Sequence, residues 1–243
     1  MTDTAENKPL AGRIALVTGA SRGIGAATAQ VLAAQGAHVV LTARKVKDLE
    51  GVEEAIHDAG GSATIAPMDL VESESIARLS AAVTERWNRL DIMVISAAML
   101  PNLTPVTQID RKQFNEAITL NLLATQALLA SFDPLLKRSP AGRIIGLTSS
   151  VGTDARPFWG AYGATKAAFE SLLLSYAQEN ARISNTRVAI LDPGATRTVM
   201  RARAYPGEDP ASVKPPEVVA QRIAAMLVED FENLHRERVD AGA

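Results

Sequence analysis

Ile14-Ala-Leu-Val-Thr-Gly-Ala-Ser-Arg-Gly-Ile-Gly25 is the stretch that decides the fold. Its first four residues, Ile14 to Val17, are wholly apolar and too few for a helix, as in a strand covered on both faces. The next eight carry glycines at 19, 23 and 25, a G-x-x-x-G-x-G spacing. Glycine permits a tight turn, and without a side chain it lets a pyrophosphate approach the backbone. A helix beginning near Ile24 aims free N–H groups and a positive dipole end at that phosphate. Strand, glycine turn and helix in this order predict a dinucleotide site at the first crossover of an α/β fold.

The same pattern extends along the chain. Short apolar runs recur at Val39–Leu41, Ile92–Ile95, Ile144–Leu147 and Val188–Leu191, with a weaker one at Ala63–Ala66. Segments of helical character separate them: Ile24–Gln35, Val46–Ala59, Ser73–Arg89, Arg111–Leu136, Trp159–Glu179 and Pro216–Glu229. Strand alternating with helix predicts a doubly wound α/β fold, a parallel sheet of six to seven strands with helices on both faces. No repeat, low-complexity tract or interior linker divides the sequence. Residues 1–243 are therefore expected to form a single dinucleotide-binding domain that includes the catalytic site, with a loose polar tail over residues 1–10.

Composition removes several function classes. A formal charge of −2 gives no electrostatic reason to expect nucleic acid or an anionic membrane as a partner. There is no cysteine, so disulfides, iron–sulfur clusters and thiol nucleophiles are excluded. His38, His57 and His235 are scattered without metal-ligand spacing, so no metal site is expected. Met1 to Lys8 is polar and lacks the apolar core of a signal peptide, and no apolar run is long enough to span a membrane. A cytoplasmic protein is the expectation.

Chemistry is concentrated in Tyr162-Gly-Ala-Thr-Lys166, inside an Ala- and Leu-rich helical run. Residues four apart share a helix face, so the phenol and the ammonium point into one pocket. A free tyrosine titrates near ~10. A fixed cation beside it favours the phenolate, and a shift of about three units corresponds to roughly 4 kcal/mol. The pair then reads as a general acid/base poised near working pH. The bland alternative is a surface tyrosine beside a solvated lysine.

Thr18-Gly-Ala-Ser-Arg-Gly-Ile-Gly25, Ser149 and Tyr162-x-x-x-Lys166 together resemble the short-chain dehydrogenase/reductase family, in its short, single-domain branch. The likeness runs from Gly12 to about Leu227, with the motifs in the family's order. It implies a Rossmann fold and a catalytic set of Asn121, Ser149, Tyr162 and Lys166. Ser149 stands thirteen residues before Tyr162, as the family requires, with Ser150 and Thr148 as neighbouring alternatives. The resemblance gives Asn121 a water that connects the lysine to solvent; the alternative is a buried asparagine bonding its own helix. It also implies that Gly19, Ser21, Arg22, Gly23, Ile24, Gly25, Arg44, Asp69, Leu70, Ala97, Tyr162, Lys166, Pro193, Gly194, Thr196 and Thr198 bind the cofactor. Asp69 meets the adenine amino group in that scheme, or is an ordinary carboxylate in a turn. Gly194 and Thr196 line the nicotinamide, and Thr198 holds its carboxamide or a phosphate.

Two departures stand out. Where the family usually has Asn-Asn-Ala-Gly, this chain has Ile95-Ser-Ala-Ala98, and alanine adopts positive φ less readily than glycine. Many relatives end in a strand carrying Val-Asp-Gly-Gly; here Asn233–Gly242 has little apolar content, which makes a seventh strand doubtful or short.

NADP(H) is the expected cofactor in preference to NAD(H), which stays possible. The second strand ends Leu41-Thr-Ala-Arg44, so Ala43 stands where a carboxylate would bond a ribose 2′-hydroxyl, and Arg44 follows. Arg22 approaches from the glycine turn, and two guanidiniums suit a 2′-phosphate. The alternative is that Arg44, Lys45 and Lys47 merely solvate a surface helix.

The expected activity is that of a carbonyl reductase, reversible hydride transfer between nicotinamide and a small-molecule carbonyl or secondary alcohol. Tyr162 serves as general acid/base, Ser149 positions the oxygen and Asn121 supports the proton path. The rivals are a nucleotide-sugar epimerase or dehydratase, for whose substrate domain the chain has no room, and a cofactor-binding sensor or scaffold with little turnover. Met99, Leu100, Thr153, Phe158, Trp159, Met200 and Tyr205 are candidate pocket residues suited to an apolar acceptor. Arg201 and Arg203 are candidates to meet an acidic acyl carrier or a substrate carboxylate. Apolar residues spread around Arg111–Leu136, and Leu172, Leu173 and Leu174 in succession, predict a homodimer or homotetramer built on these helices.

Overall fold

The computed structural model describes residues 8–240. The elements in chain order are β1 (Ile14–Thr18), α1 (Gly23–Ala34), β2 (His38–Thr42), α2 (Val46–Asp58), β3 (Ser62–Ile65), α3 (Ser73–Trp87), β4 (Ile92–Ile95), α4 (Arg111–Ile118), α5 (Ala124–Arg138), β5 (Arg143–Leu147), α6 (Gly160–Asn180), β6 (Arg187–Asp192), α7 (Val199–Ala204), α8 (Pro216–Glu229) and β7 (His235–Arg238). Of the expected tail over 1–10, residues 1–7 lie outside the described residues. Leu10 is 2% exposed and its amide donates to the Gln35 carbonyl, so the end of that stretch belongs to the folded body.

The strands form one sheet in the order β3-β2-β1-β4-β5-β6-β7, every pair parallel. Alternation along β1 explains its uniform apolarity. Ala15 and Val17 face a core built with α1, α2 and α8, while Ile14 and Leu16 face a second core built with α3, α5 and α6. A strand buried on both sides has no polar face to display. The order reverses at the β1–β4 boundary, and in such sheets ligands bind at the carboxyl ends of the strands beside this switch point.

The seventh strand, expected to be doubtful or short, is present and short, at four residues. β7 exists and completes a seven-stranded sheet, with Ala189 to Asp192 in register with His235 to Arg238. It alternates half-buried and exposed residues and is held by charge as well as by its ladder. Arg236 pairs with Glu170 of α6, Glu237 with Arg222 of α8 at 2.5 Å, and Arg238 with Asp192 of β6 at 3.3 Å. Low apolar content hid the strand because an edge strand has only partial burial to gain.

The helix expected over Arg111–Leu136 is present and departs from α geometry at one place. A π-helical turn, Thr119–Leu123, separates α4 from α5 and holds the buried Asn121. Such widened turns cluster at functional sites. β5 ends at Leu147, so Thr148 lies outside the strand.

Seating of α6 on β5 depends on one missing side chain. A Cβ on Gly146 would lie 2.3 Å from Leu173 Cδ1 and 2.8 Å from Phe169 Cζ. The bare strand lets α6 approach closely, which puts the amino-terminal half of that helix over the carboxyl end of β5.

Candidate active site

The glycine turn closes the switch point from one side. Gly19 and Gly23 have φ of +67° and +57°. A Cβ on Gly19 would sit 2.9 Å from Ala97 Cα, and one on Gly25 would sit 2.3 Å from the Gly19 carbonyl oxygen. Thr18 Oγ1 accepts from the Ser96 and Ala97 amides at 3.0 and 3.1 Å, tying the end of β1 to the turn after β4. The departure at Ile95-Ser-Ala-Ala98 is accommodated: among the described residues, Ala98 is not one of those with positive φ.

A cleft of about 1160 Å³ runs across these carboxyl ends. Gly19, Ser21, Arg22, Gly23 and Ile24 line it from the first turn, and Arg44 from the end of β2. Asp69, Leu70, Ala97, Pro193, Thr198, Tyr162 and Lys166 line the remainder. The glycine turn, the amino terminus of α1 and the cations of Arg22 and Arg44 form a donor set that fits a phosphorylated dinucleotide. Asp69 faces the cleft, and its Oδ1 accepts from the Val71 amide at 3.2 Å.

Five predicted residues, Asn121 among them, lie behind this wall or beside it. Gly25 packs beneath the turn. Gly194 donates its amide to Asp192 Oδ1 at 2.9 Å, and Thr196 is buried with its hydroxyl on the Pro193 carbonyl at 2.9 Å. Ser149 is half-buried on the wall of a smaller adjoining cavity of about 310 Å³, with Thr148, Ser150, Asp192 and Arg236. Its two rivals are otherwise engaged: Thr148 donates to Glu170 Oε1 at 2.5 Å, and Ser150 Oγ accepts from Arg156 at 3.0 Å.

Asn121 bonds neither its own helix nor open space. Its Oδ1 accepts from the Met99 amide at 2.8 Å, and its Nδ2 donates to the Met99 carbonyl and to Thr165 Oγ1, both at 3.0 Å. The π-turn thus presents an asparagine that pins the segment after β4 to α6.

Tyr162 and Lys166 are side by side on α6, 7% and 4% exposed. Their electrostatics reverse the expectation from spacing. Lys166 Nζ donates to the Leu147 carbonyl at 2.7 Å and lies 5.8 Å from the centre of the Tyr162 ring. Burial pushes the Tyr162 phenol well above its ordinary value, with the charge of Asp192 adding to the rise. Burial pulls the lysine down, to about 8. Desolvation of both groups therefore outweighs their mutual attraction. The phenol is a protonated donor, and it donates to Met200 Sδ at 3.9 Å.

Helix α7, which is not among the helical segments read from the sequence, roofs the cleft with Val199, Met200 and Arg203. Thr198 caps it by accepting from the Arg201 amide at 3.1 Å. Leu100, Val151 and Tyr162 form a small apolar cluster with Leu103, Trp159 and Met200. The Trp159 ring lies 5.9 Å from that of Tyr205. Arg201 is neutralised by Glu208 at 2.6 and 2.5 Å and stacks on Tyr205, so it does not offer a free cation to an anionic partner; Arg203 reaches Asn102 at 2.7 Å and faces the cleft. Phe158 is exposed, and Thr153 lines the smaller cavity. Lys112, Glu116 and Leu120 also border the large cleft, on and beside α4.

Comparison with known proteins agrees with this architecture. The family profile described as short chain dehydrogenase matches residues 13–209. The uncharacterized oxidoreductase YciK of Escherichia coli K12 is 36% identical over 207 residues, covering 84% of this chain and 81% of YciK. A short chain dehydrogenase from Pseudomonas syringae superposes with a TM-score of 0.92 at 37% identity, covering 98% of this chain and 99% of that one. Another, from Shigella flexneri 2a and solved in complex with NADP, has a TM-score of 0.90 at 32% identity over 96% of this chain and 98% of its own.

The depressed lysine has a consequence for stability. Its folded value, about 8, lies below its ordinary 10.5. Between these the unfolded chain binds more protons, so this residue's contribution to stability rises with pH in that window. Lys166→Met removes the titration. The advantage of the Met variant over the wild type should be largest below pH 8 and shrink by on the order of 3 kcal/mol by pH 10.5, read from paired urea unfolding curves. A difference independent of pH would show that burial does not depress Lys166.

Proposed function

The chain belongs to the short-chain dehydrogenase family of oxidoreductases, and from that premise we propose that it is an NADP(H)-dependent carbonyl reductase with Tyr162 as proton donor. One observation carries this reading: the buried Tyr162–Lys166 pair faces the same cleft as the glycine turn and Arg22 and Arg44. When bound, the nicotinamide cofactor supplies or accepts the hydride. Tyr162 gives its proton to the carbonyl oxygen as negative charge develops there. Ser149 supplies the hydrogen bond that positions this oxygen, a role supported by the engagement of Thr148 and Ser150 elsewhere. Lys166 and Asn121 hold the segment around the donor, through Leu147 and Met99 respectively.

The apolar cluster around Tyr162 supports an apolar carbonyl compound as substrate, seated where Met200 now meets the phenol. Cofactor and catalytic groups share one domain in this reading. Assembly into a homodimer or homotetramer is supported by Leu123, at the end of the π-turn and 54% exposed, and by the exposed Ala164 and Ala167 of α6. Sedimentation at micromolar concentration should show no more than a trace of monomer; a monomer alone would remove this part of the proposal.

Tyr162→Phe keeps the ring and deletes the donor. NADPH oxidation against a panel of β-ketoacyl thioesters, aldehydes, diketones and quinones should fall ~10²–10⁴-fold while NADPH affinity holds. Wild-type turnover by this variant would end the mechanism, and absence of turnover by the wild type on the whole panel would favour a cofactor-binding sensor.

Selectivity for the 2′-phosphate is assigned to Arg22 and Arg44, both of which line the cleft; the relatives solved with NADP and with NADPH support the choice of cofactor. Replacing both arginines by Ala should weaken NADPH binding strongly and NADH binding little. Equal loss for the two cofactors would show that the arginines serve another purpose.

A further inference from the structure

Tyr162 and Lys166 are followed at the same spacing by Glu170, so the three share one face of α6. The first two face the large cleft. Glu170 is 5% exposed and lies on the wall of the smaller cavity. A carboxylate this deeply buried is costly unless its oxygens are partnered. Both are: Oε1 accepts from Thr148 Oγ1 at 2.5 Å, and Oε2 pairs with Arg236 of β7.

Thr148 stands between two residues on which the proposed chemistry depends. Leu147 gives its carbonyl to Lys166, and Ser149 follows in extended conformation, with φ −160° and ψ 146°. Helix α6 therefore latches two successive residues at the end of β5, Leu147 through Lys166 and Thr148 through Glu170. Thr148 is also held by its amide on the Leu191 carbonyl at 2.9 Å, so the side-chain latch fixes the direction in which the chain leaves the sheet. Anchoring β7 does not need Glu170: that strand keeps its ladder with β6 and the pairs Glu237–Arg222 and Arg238–Asp192.

We infer that Glu170, clamped by Arg236, is a positioning residue that holds Thr148 and thereby sets the place of Ser149 relative to Tyr162. This rests on the reading of Ser149 and Tyr162 given under the proposed function. The carboxylate touches no reacting atom; it acts through the Thr148 hydroxyl.

Full-length Thr148→Val, Thr148→Ser, Glu170→Gln and Arg236→Gln variants test it by two readouts. The first is amide hydrogen exchange across residues 147–152 in the protein without substrate. Thr148→Val and Glu170→Gln should raise exchange there by roughly tenfold while leaving β1 and β4 protected, and Thr148→Ser should not. The second is NADPH oxidation with an aromatic 1,2-diketone as probe. Thr148→Val should lower kcat by roughly ten- to a hundredfold without weakening NADPH, Thr148→Ser should recover most of that loss, and Arg236→Gln should fall between. Wild-type exchange in both Thr148→Val and Glu170→Gln overturns the proposal. So does a loss that Thr148→Ser shares, which would mark a packing role. A wild type inert toward the diketone and the wider carbonyl panel counts against the proposed activity instead, and the exchange comparison then decides the positioning role alone.

Discussion

The contact of α6 with β5 across the bare backbone of Gly146 is the constraint on which the site depends. With Leu173 and Phe169 filling the space a side chain would take, the helix lies against the end of the strand. That distance lets Lys166 reach the Leu147 carbonyl and Glu170 reach Thr148. Close packing thus transmits a core requirement into the geometry of the cleft.

Burial, rather than the nearby cation, governs the electrostatics of the donor. Tyr162 and Lys166 both leave water, and each loses hydration that the other does not replace. The lysine finds its partner in a backbone carbonyl, which orients the ammonium but adds no negative charge beside it. Asp192 adds a negative charge near the phenol, and Arg238 of β7 pairs with that carboxylate at 3.3 Å. The free protein therefore keeps the phenol protonated, as a proton donor requires.

The carboxyl-terminal strand has a part in this arrangement beyond closing the sheet. Its alternate residues Arg236 and Arg238 reach Glu170 and Asp192, two acids that border the smaller cavity with Ser149. Exposed ion pairs contribute little to stability. Here one partner of each pair is largely buried, at side-chain exposures of 6% and 15%, so the pairs matter more for placing those acids than for strengthening the edge.

By itself the sequence determined the alternation of buried strands and helices, the glycine turn, the Tyr162–Lys166 spacing and the cations at Arg22 and Arg44. These are local features: periodicity, missing side chains and residues four apart on one helix report on a neighbourhood the chain builds without help. Tertiary structure alone decided the rest. The π-turn at Thr119–Leu123 exists beside Met99, a residue far back in sequence whose backbone bonds with Asn121. β7 forms its ladder on β6 and meets charged partners on α6, α8 and β6, none of which its composition announces. The direction of the Tyr162 and Lys166 shifts followed from the burial of both groups, a quantity set by everything packed around α6. Spacing along a helix states which groups are neighbours, whereas the protonation they adopt depends on how much water the fold leaves them.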